Sequence, residues 1–173
     1  VWTVMSNTRP QAGGSRHQAA TGTDCGCETT SFAASRPLPS YLTALAAGPW
    51  HRVTGQWTSP SRPGLTIPLS WSCRASLAEH LDAAELLDLT RAGLDLYDQA
   101  YAYGFPWDSY DSVLVPEYNL GAMENPGCVT FNEELYLFRG PVTRSQMAGR
   151  ANTILHEMCH MWFGDLVTPT WWE

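Results

Sequence analysis

The stretch TRSQMAGRANTILHEMCHMWF, residues 143–163, decides how this chain is read. Thr143 with Gln146 three residues later forms a capping box, so the spacing predicts a helix from Thr143 to Phe163. Met147, Ala151, Ile154 and Leu155 give that helix a buried face. His156 and His160 stand four apart, about 40° apart around the axis, which lets both imidazoles reach one metal ion. Glu157 turns toward the same pocket but lies too far round to be a third ligand. It suits a general base that takes a proton from metal-bound water. The plain alternative is a satisfied pair of helix histidines. As ligands both rings must be neutral, and each should donate its remaining N–H to a nearby acceptor. Asp165, just past the helix, is one candidate acceptor; a solvated carboxylate is the other reading of that residue.

Farther upstream, Cys128–Phe131 and Ser112–Val115 read as strands, with Gly121-Ala122-Met123-Glu124-Asn125 between them. Asp82 with Glu85 is a second capping-box pattern. It opens a helix whose core stripe is Leu86, Leu89, Leu94, Tyr97 and Tyr101, and whose run ends at Gly104 and Pro106. Residues 1–72 read as strands and turns. Trp2–Met5 is a short apolar strand and Thr8–Gly26 a long loop. Glu28–Ser35, Tyr41–Val53 and Leu65–Cys73 are β-type runs between Pro/Gly punctuation. A strand layer beside metal-bearing helices makes the fold class α+β.

Gly121–Asn125 followed by His156-Glu157-Met158-Cys159-His160 resembles the G-A-M-E-N and H-E-x-x-H-x18-E pattern of the zinc aminopeptidases of the aminopeptidase N family. These are gluzincin metallopeptidases, and the likeness is to actinobacterial members. The match continues through Met161–Thr168, Trp171 and Trp172, and upstream through Tyr41–Pro49 and Val115–Asn119. The resemblance implies that residues 1–72 end an all-β N-terminal domain and that 73–173 form the first half of a thermolysin-like catalytic domain. It implies one Zn2+ ion, held by His156 and His160, with Glu157 as catalytic base. The family's third ligand, a glutamate, would fall beyond Glu173, as would its oxyanion-holding tyrosine; Tyr118 and Tyr136 do not match that tyrosine's context. Glu124 would pair with the free α-ammonium of a peptide substrate and so select an N-terminus. Gly121, Ala122, Met123 and Asn125 would line the cleft beside that peptide. Without the resemblance Glu124 reads as a turn acid in an Asn-Pro-Gly loop. Glu117 and the Glu133-Glu134 pair match no catalytic position and read as solvated. Met123 and Leu120 suggest an apolar first pocket. The metzincin pattern fails, because Phe163 stands where its glycine should be and Leu166 where its third histidine should be.

Composition narrows the partners. The chain has 173 residues, enough for one ordinary domain, and 44% of them are hydrophobic. Its net charge of -7, with ten arginines and no lysine, offers no basic patch for phosphates and so argues against nucleic acid. No apolar run approaches the ~20 residues that span a bilayer, so no membrane association is expected. Val1–Ser6 does not read as a signal peptide. The five cysteines, Cys25, Cys27, Cys73, Cys128 and Cys159, are an odd set unlike a disulfide framework. Cys25-Gly26-Cys27 reads as a turn with two incidental thiols, a metal or redox pair being the alternative. The reducing cytosol is the expected compartment.

The expected function is therefore zinc-dependent release of N-terminal residues from peptides, carried by an incomplete fragment, both ends looking cut. Two other readings compete. A related zinc epoxide hydrolase is disfavoured by Ala122, where those relatives typically carry glycine. An inactive remnant would follow from the incomplete ligand set. A chain cut this way should leave the Thr143–Phe163 helix partly uncovered, with Trp162, Trp171 and Trp172 near the cut.

Overall fold

The computed structural model describes residues 2–12, 16–18, 24–168 and 170. Trp171, Trp172 and Glu173 lie outside them. The elements run β1 (Thr3–Ser6), β2 (Arg16–Gln18), β3 (Asp24–Glu28), β4 (Leu45–Gly48), β5 (Trp50–Thr58) and β6 (Thr66–Arg74). They continue with α1 (Ala83–Tyr101), β7 (Tyr110–Val115), β8 (Ala122–Met123), β9 (Val129–Asn132), α2 (Glu133–Tyr136) and α3 (Arg144–His160). The fold is α+β. A mixed five-stranded sheet, ordered β5-β6-β7-β9-β8, forms its centre. The outer pairs β5–β6 and β8–β9 are antiparallel, while β6–β7 and β7–β9 are parallel. Helix α1 makes the crossover that a parallel β6–β7 pair requires. β6 passes straight through residues 72 and 73, so the central sheet starts at Trp50 and is continuous across that point.

Period-two alternation sorts the strands' side chains between two cores. Ile67, Leu69, Trp71 and Cys73 of β6 face α1 and α3, joining Leu86, Leu87, Leu94, Ile154 and Met158. The other face of the sheet sets Val113, with Cys128 just before β9, against Met5, Ala44 and Ala46 of the β1–β4 layer. Between the helices, Gly93 permits close approach. A Cβ there would stand 2.6 Å from Leu155 Cδ2 and 2.9 Å from the Met158 sulfur. At the far end of α1, Asp98 is fully buried and accepts from the hydroxyls of Ser59 and Ser61, tying the β5–β6 loop to the helix.

Several local expectations fail for reasons of tertiary competition. Asp82 does stand at the N-cap of α1, but its side chain caps nothing. It and Glu85 instead accept from the buried Arg150 guanidinium, at 3.1 and 2.9 Å, because a charge-assisted bond to a buried cation outweighs a local cap. The helix ends at Tyr101, before Gly104, with Ala102 in the left-handed region at φ 51°. Met147 is exposed, and the buried face of α3 is Arg150, Ile154, Glu157 and Met158. Trp162 is buried too, packed edge-on against Tyr101 and Phe105, whereas Phe163 and Val167 are exposed.

In the first third, part of Thr8–Gly26 is strand rather than loop: β2 pairs antiparallel with β3, which carries both Cys25 and Cys27. Of Glu28–Ser35, only Glu28 is in a strand; Phe32 makes a single bridge to Pro10. Ser40–Leu42 is a 3₁₀ turn ahead of β4. Cys73, Cys128 and Cys159 are free thiols. Among the described residues no helix is long and apolar enough to cross a membrane.

Candidate metal centre and substrate edge

Helix α3 is built as its sequence dictates. Thr143 Oγ1 accepts from the Gln146 N–H at 3.2 Å, and Gln146 Oε1 accepts from the Thr143 N–H at 2.9 Å, completing the capping box. Four turns on, His156 and His160 present their rings to each other at 90°, with Nε2 of one 3.2 Å from Nε2 of the other. Two nitrogens about 2.05 Å from one tetrahedral ion lie about 3.3 Å apart, so the pair fits a shared metal. His160 Nδ1 donates to the Phe163 carbonyl at 2.8 Å, which leaves its Nε2 lone pair free for a metal. That carbonyl is the acceptor in place of Asp165, whose carboxylate is buried rather than solvated. Neither Asp165 oxygen has a hydrogen-bond partner among the described residues. No group of three or more His, Cys, Asp or Glu among the described residues is arranged to hold a metal ion.

Glu157 is buried beside these rings. Burial pushes its carboxyl up to about 7; the negative Glu124 adds to the rise and His160 opposes it. Burial likewise pushes Asp165 up to about 8, with Glu124 and then Glu157 contributing. Glu124 therefore shares a field with Glu157 and Asp165, although it stands on a different element 33 residues before Glu157 in the chain. Burial and the neighbouring negative charges both favour the neutral forms of Glu157 and Asp165, and a cation placed beside them would oppose that rise.

Glu124 follows β8, the edge strand of the sheet. Ala122 pairs with Phe131 and Met123 with Thr130, and among the described residues no strand pairs with the other side of β8. Asn125 is buried, accepting from Thr130 Oγ1 at 3.3 Å. Its carbonyl accepts from the Cys128 N–H at 3.0 Å, closing a turn with Gly127 at φ 71°. Gly121 has an open surface apart from the Tyr136 hydroxyl, 3.2 Å from where a Cβ would sit. Met123 is half-buried and Leu120 exposed. The structure thus brings His156, Glu157, His160 and Glu124 into one neighbourhood and lays Gly121–Asn125 along the sheet edge.

Three residues missed in sequence shape this site. Glu133, expected to be solvated, is buried and holds Arg74 Nε at 2.9 Å and Arg139 Nη2 at 3.3 Å. Arg150 fastens α3 to α1 and donates to the Tyr136 carbonyl at 3.3 Å. Asn132 caps α2, and its position before Glu133-Glu134 was the available signal.

The model of the Peptidase family M1 domain matches residues 85–173. The chain belongs to peptidase family M1. Aminopeptidase N of Streptomyces lividans is 48% identical over 136 residues, which is 79% of this chain and 15% of that protein. Aminopeptidase N of Mus musculus is 31% identical over 151 residues, covering 87% of this chain and 15% of that protein. The puromycin-sensitive aminopeptidase of Caenorhabditis elegans is 31% identical over 147 residues, 84% of this chain and 15% of that protein. The chain thus spans about 15% of the length of these curated relatives.

Proposed function

We propose that the protein is a zinc aminopeptidase, releasing N-terminal residues from peptides that carry a free α-amine. The observation that carries this reading is the 3.2 Å convergence of the His156 and His160 ring nitrogens beside the buried Glu157. His156 and His160 would hold Zn2+, with a third protein ligand from outside the described residues. Bound there, zinc supplies Lewis-acid chemistry, polarising a carbonyl and lowering the pKa of water toward ~7. Glu157 takes the water proton at its carboxylate and passes it to the leaving amine. Glu124 pairs with the substrate ammonium, which places the first peptide bond over the histidines and turns away internal bonds. The free side of β8 orients the peptide backbone, and Met123 with Leu120 offers an apolar wall to the first side chain. In this reading the β1–β4 pair closes a preceding β domain, and the thermolysin-like catalytic unit starts with the central sheet at Trp50. The aminopeptidase names of the relatives support the same assignment.

The test is cleavage of a free-amine peptide against its N-acetylated twin by the full-length protein. Hydrolysis of the first only is expected, with Glu157→Gln lowering kcat by roughly 10²–10⁴-fold while zinc stays bound. Equal cleavage of both twins, or an undiminished rate in Glu157→Gln, would contradict the assignment.

A further inference from the structure

The segment that carries Glu124 has little regular structure of its own, yet its anchoring carboxylate has to sit at a fixed place relative to α3. Asn132 uses both ends of its amide to arrange this. Its Oδ1 accepts from the backbone N–H groups of Glu134 at 2.9 Å and Leu135 at 3.3 Å, starting α2. Its Nδ2 donates to the carbonyl of Tyr118 at 2.8 Å and that of Leu120 at 3.4 Å, and its backbone N–H donates to the Gly121 carbonyl at 2.8 Å. One residue therefore grips three carbonyls at the entrance to Gly121–Asn125. The helix it caps leads on to α3: Tyr136 Oη lies 3.1 Å from Thr153 Oγ1, one turn before His156. The Tyr136 carbonyl accepts from Arg150 at 3.3 Å. Glu117, just before the gripped stretch, sits at φ 51°, a conformation that a non-glycine residue holds only when its surroundings impose it.

We propose that Asn132 is a positioning residue for substrate recognition, holding the segment that carries Glu124 in register with the histidine helix. It touches neither substrate nor metal in this role; it acts through Tyr118, Leu120 and Gly121. The proposal rests on the aminopeptidase reading, in which Glu124 meets the substrate amine. Its physical content is that the two halves of one amide do separable work. An aspartate at 132 keeps the acceptor that caps α2 but turns a donor into an acceptor facing two carbonyls. A serine keeps a shorter cap and reaches the loop poorly.

The experiment compares wild type, Asn132→Asp and Asn132→Ser in the full-length, zinc-loaded protein, with alanyl p-nitroanilide as substrate and amide hydrogen exchange as a second readout. In Asn132→Asp, KM should rise about tenfold while kcat falls less than about threefold, the pattern of lost ground-state binding. Amides of residues 118–125 should exchange at least about tenfold faster, with Glu134 and Leu135 as protected as before. Asn132→Ser should move both readouts in the same direction by less. Unchanged exchange over 118–125, an unmoved KM, or equal loss of protection in α2 would overturn the proposal. If wild type fails to cleave the anilide, the aminopeptidase reading falls, and the exchange pattern still decides whether Asn132 holds the segment.

Discussion

Helix α3 and the Gly121–Gly127 segment face the same chemistry but are held in place by opposite means. Helix α3 carries its own instructions: the Thr143–Gln146 box starts it, and the i, i+4 spacing turns His156 and His160 to one side. The Gly121–Gly127 segment has two residues of regular strand, and its shape is imposed from elsewhere. Asn132 and Tyr118 hold its start. Asn7, far off in the chain, holds its end by donating to the Pro126 carbonyl at 2.9 Å. The histidine pair can be encoded locally because one helix sets its geometry. The placement of Glu124 cannot, because it is set relative to that helix from another element. Substitutions should therefore hurt the segment through remote partners and hurt the helix through its own residues.

The largest effect is expected at Gly127. Its φ of 71° favours glycine, and a Cβ there would overlap the backbone carbonyl oxygen of Asn7. Gly127→Ala should cost about 3 kcal/mol or more, since neither the turn nor the facing backbone can give way cheaply. A denaturation midpoint equal to that of wild type would mean that Asn7 does not press on this turn.

Asp98 probes the scaffold on which both regions rest. Burial pushes its carboxyl up, but the hydroxyls of Ser61 and Ser59, the Ser61 N–H and Arg62 together pull it below its ordinary value. A carboxyl lowered by folding contributes stability above its unfolded pKa of ~3.9, and that contribution is lost as pH falls through the lower folded value. Asp98→Ala should cost about 2 kcal/mol near pH 7 and progressively less below about pH 4, read from urea titrations across that range. A cost that stays constant down to the most acid pH would show that the charge of Asp98 does not matter.

A direct comparison of the two regions comes from Asn7→Ala against Thr143→Ala. Asn7 makes three bonds, to the Leu42 and Pro126 carbonyls and from the Ala44 N–H, all at 2.8–2.9 Å. Its loss should cost about 2 kcal/mol, while Thr143→Ala should cost about 1 kcal/mol, the ordinary value of a lost cap. The reverse order in chemical denaturation would mean that the helix depends on its terminus more than the segment depends on its distant hold.

The same contrast explains what could be read in the sequence. The α+β class, α3 with its cap, the histidine pair, and strands β6, β7 and β9 were legible to within a few residues, because periodicity and caps act between near neighbours. The Asp82–Glu85 cap looked identical on paper and does not form, since Arg150 claims both carboxylates across more than sixty residues. Glu133 looked solvated beside Glu134, yet Arg74 and Arg139 hold it buried. Asp165 read as either an acceptor for histidine or a solvated carboxylate; it is buried, and the Phe163 carbonyl accepts from His160 instead. The first two failures involve partners that only the folded chain supplies.

The proposal that Glu124 serves α3 from the sheet edge is tested most directly by Glu124→Gln in the full-length protein, measured by kcat/KM on a free-amine peptide with zinc content determined in parallel. The account predicts one zinc per chain still bound and a kcat/KM lowered by roughly 10²-fold or more, because a neutral amide cannot pair with the substrate ammonium. An unchanged kcat/KM with zinc in place would contradict it.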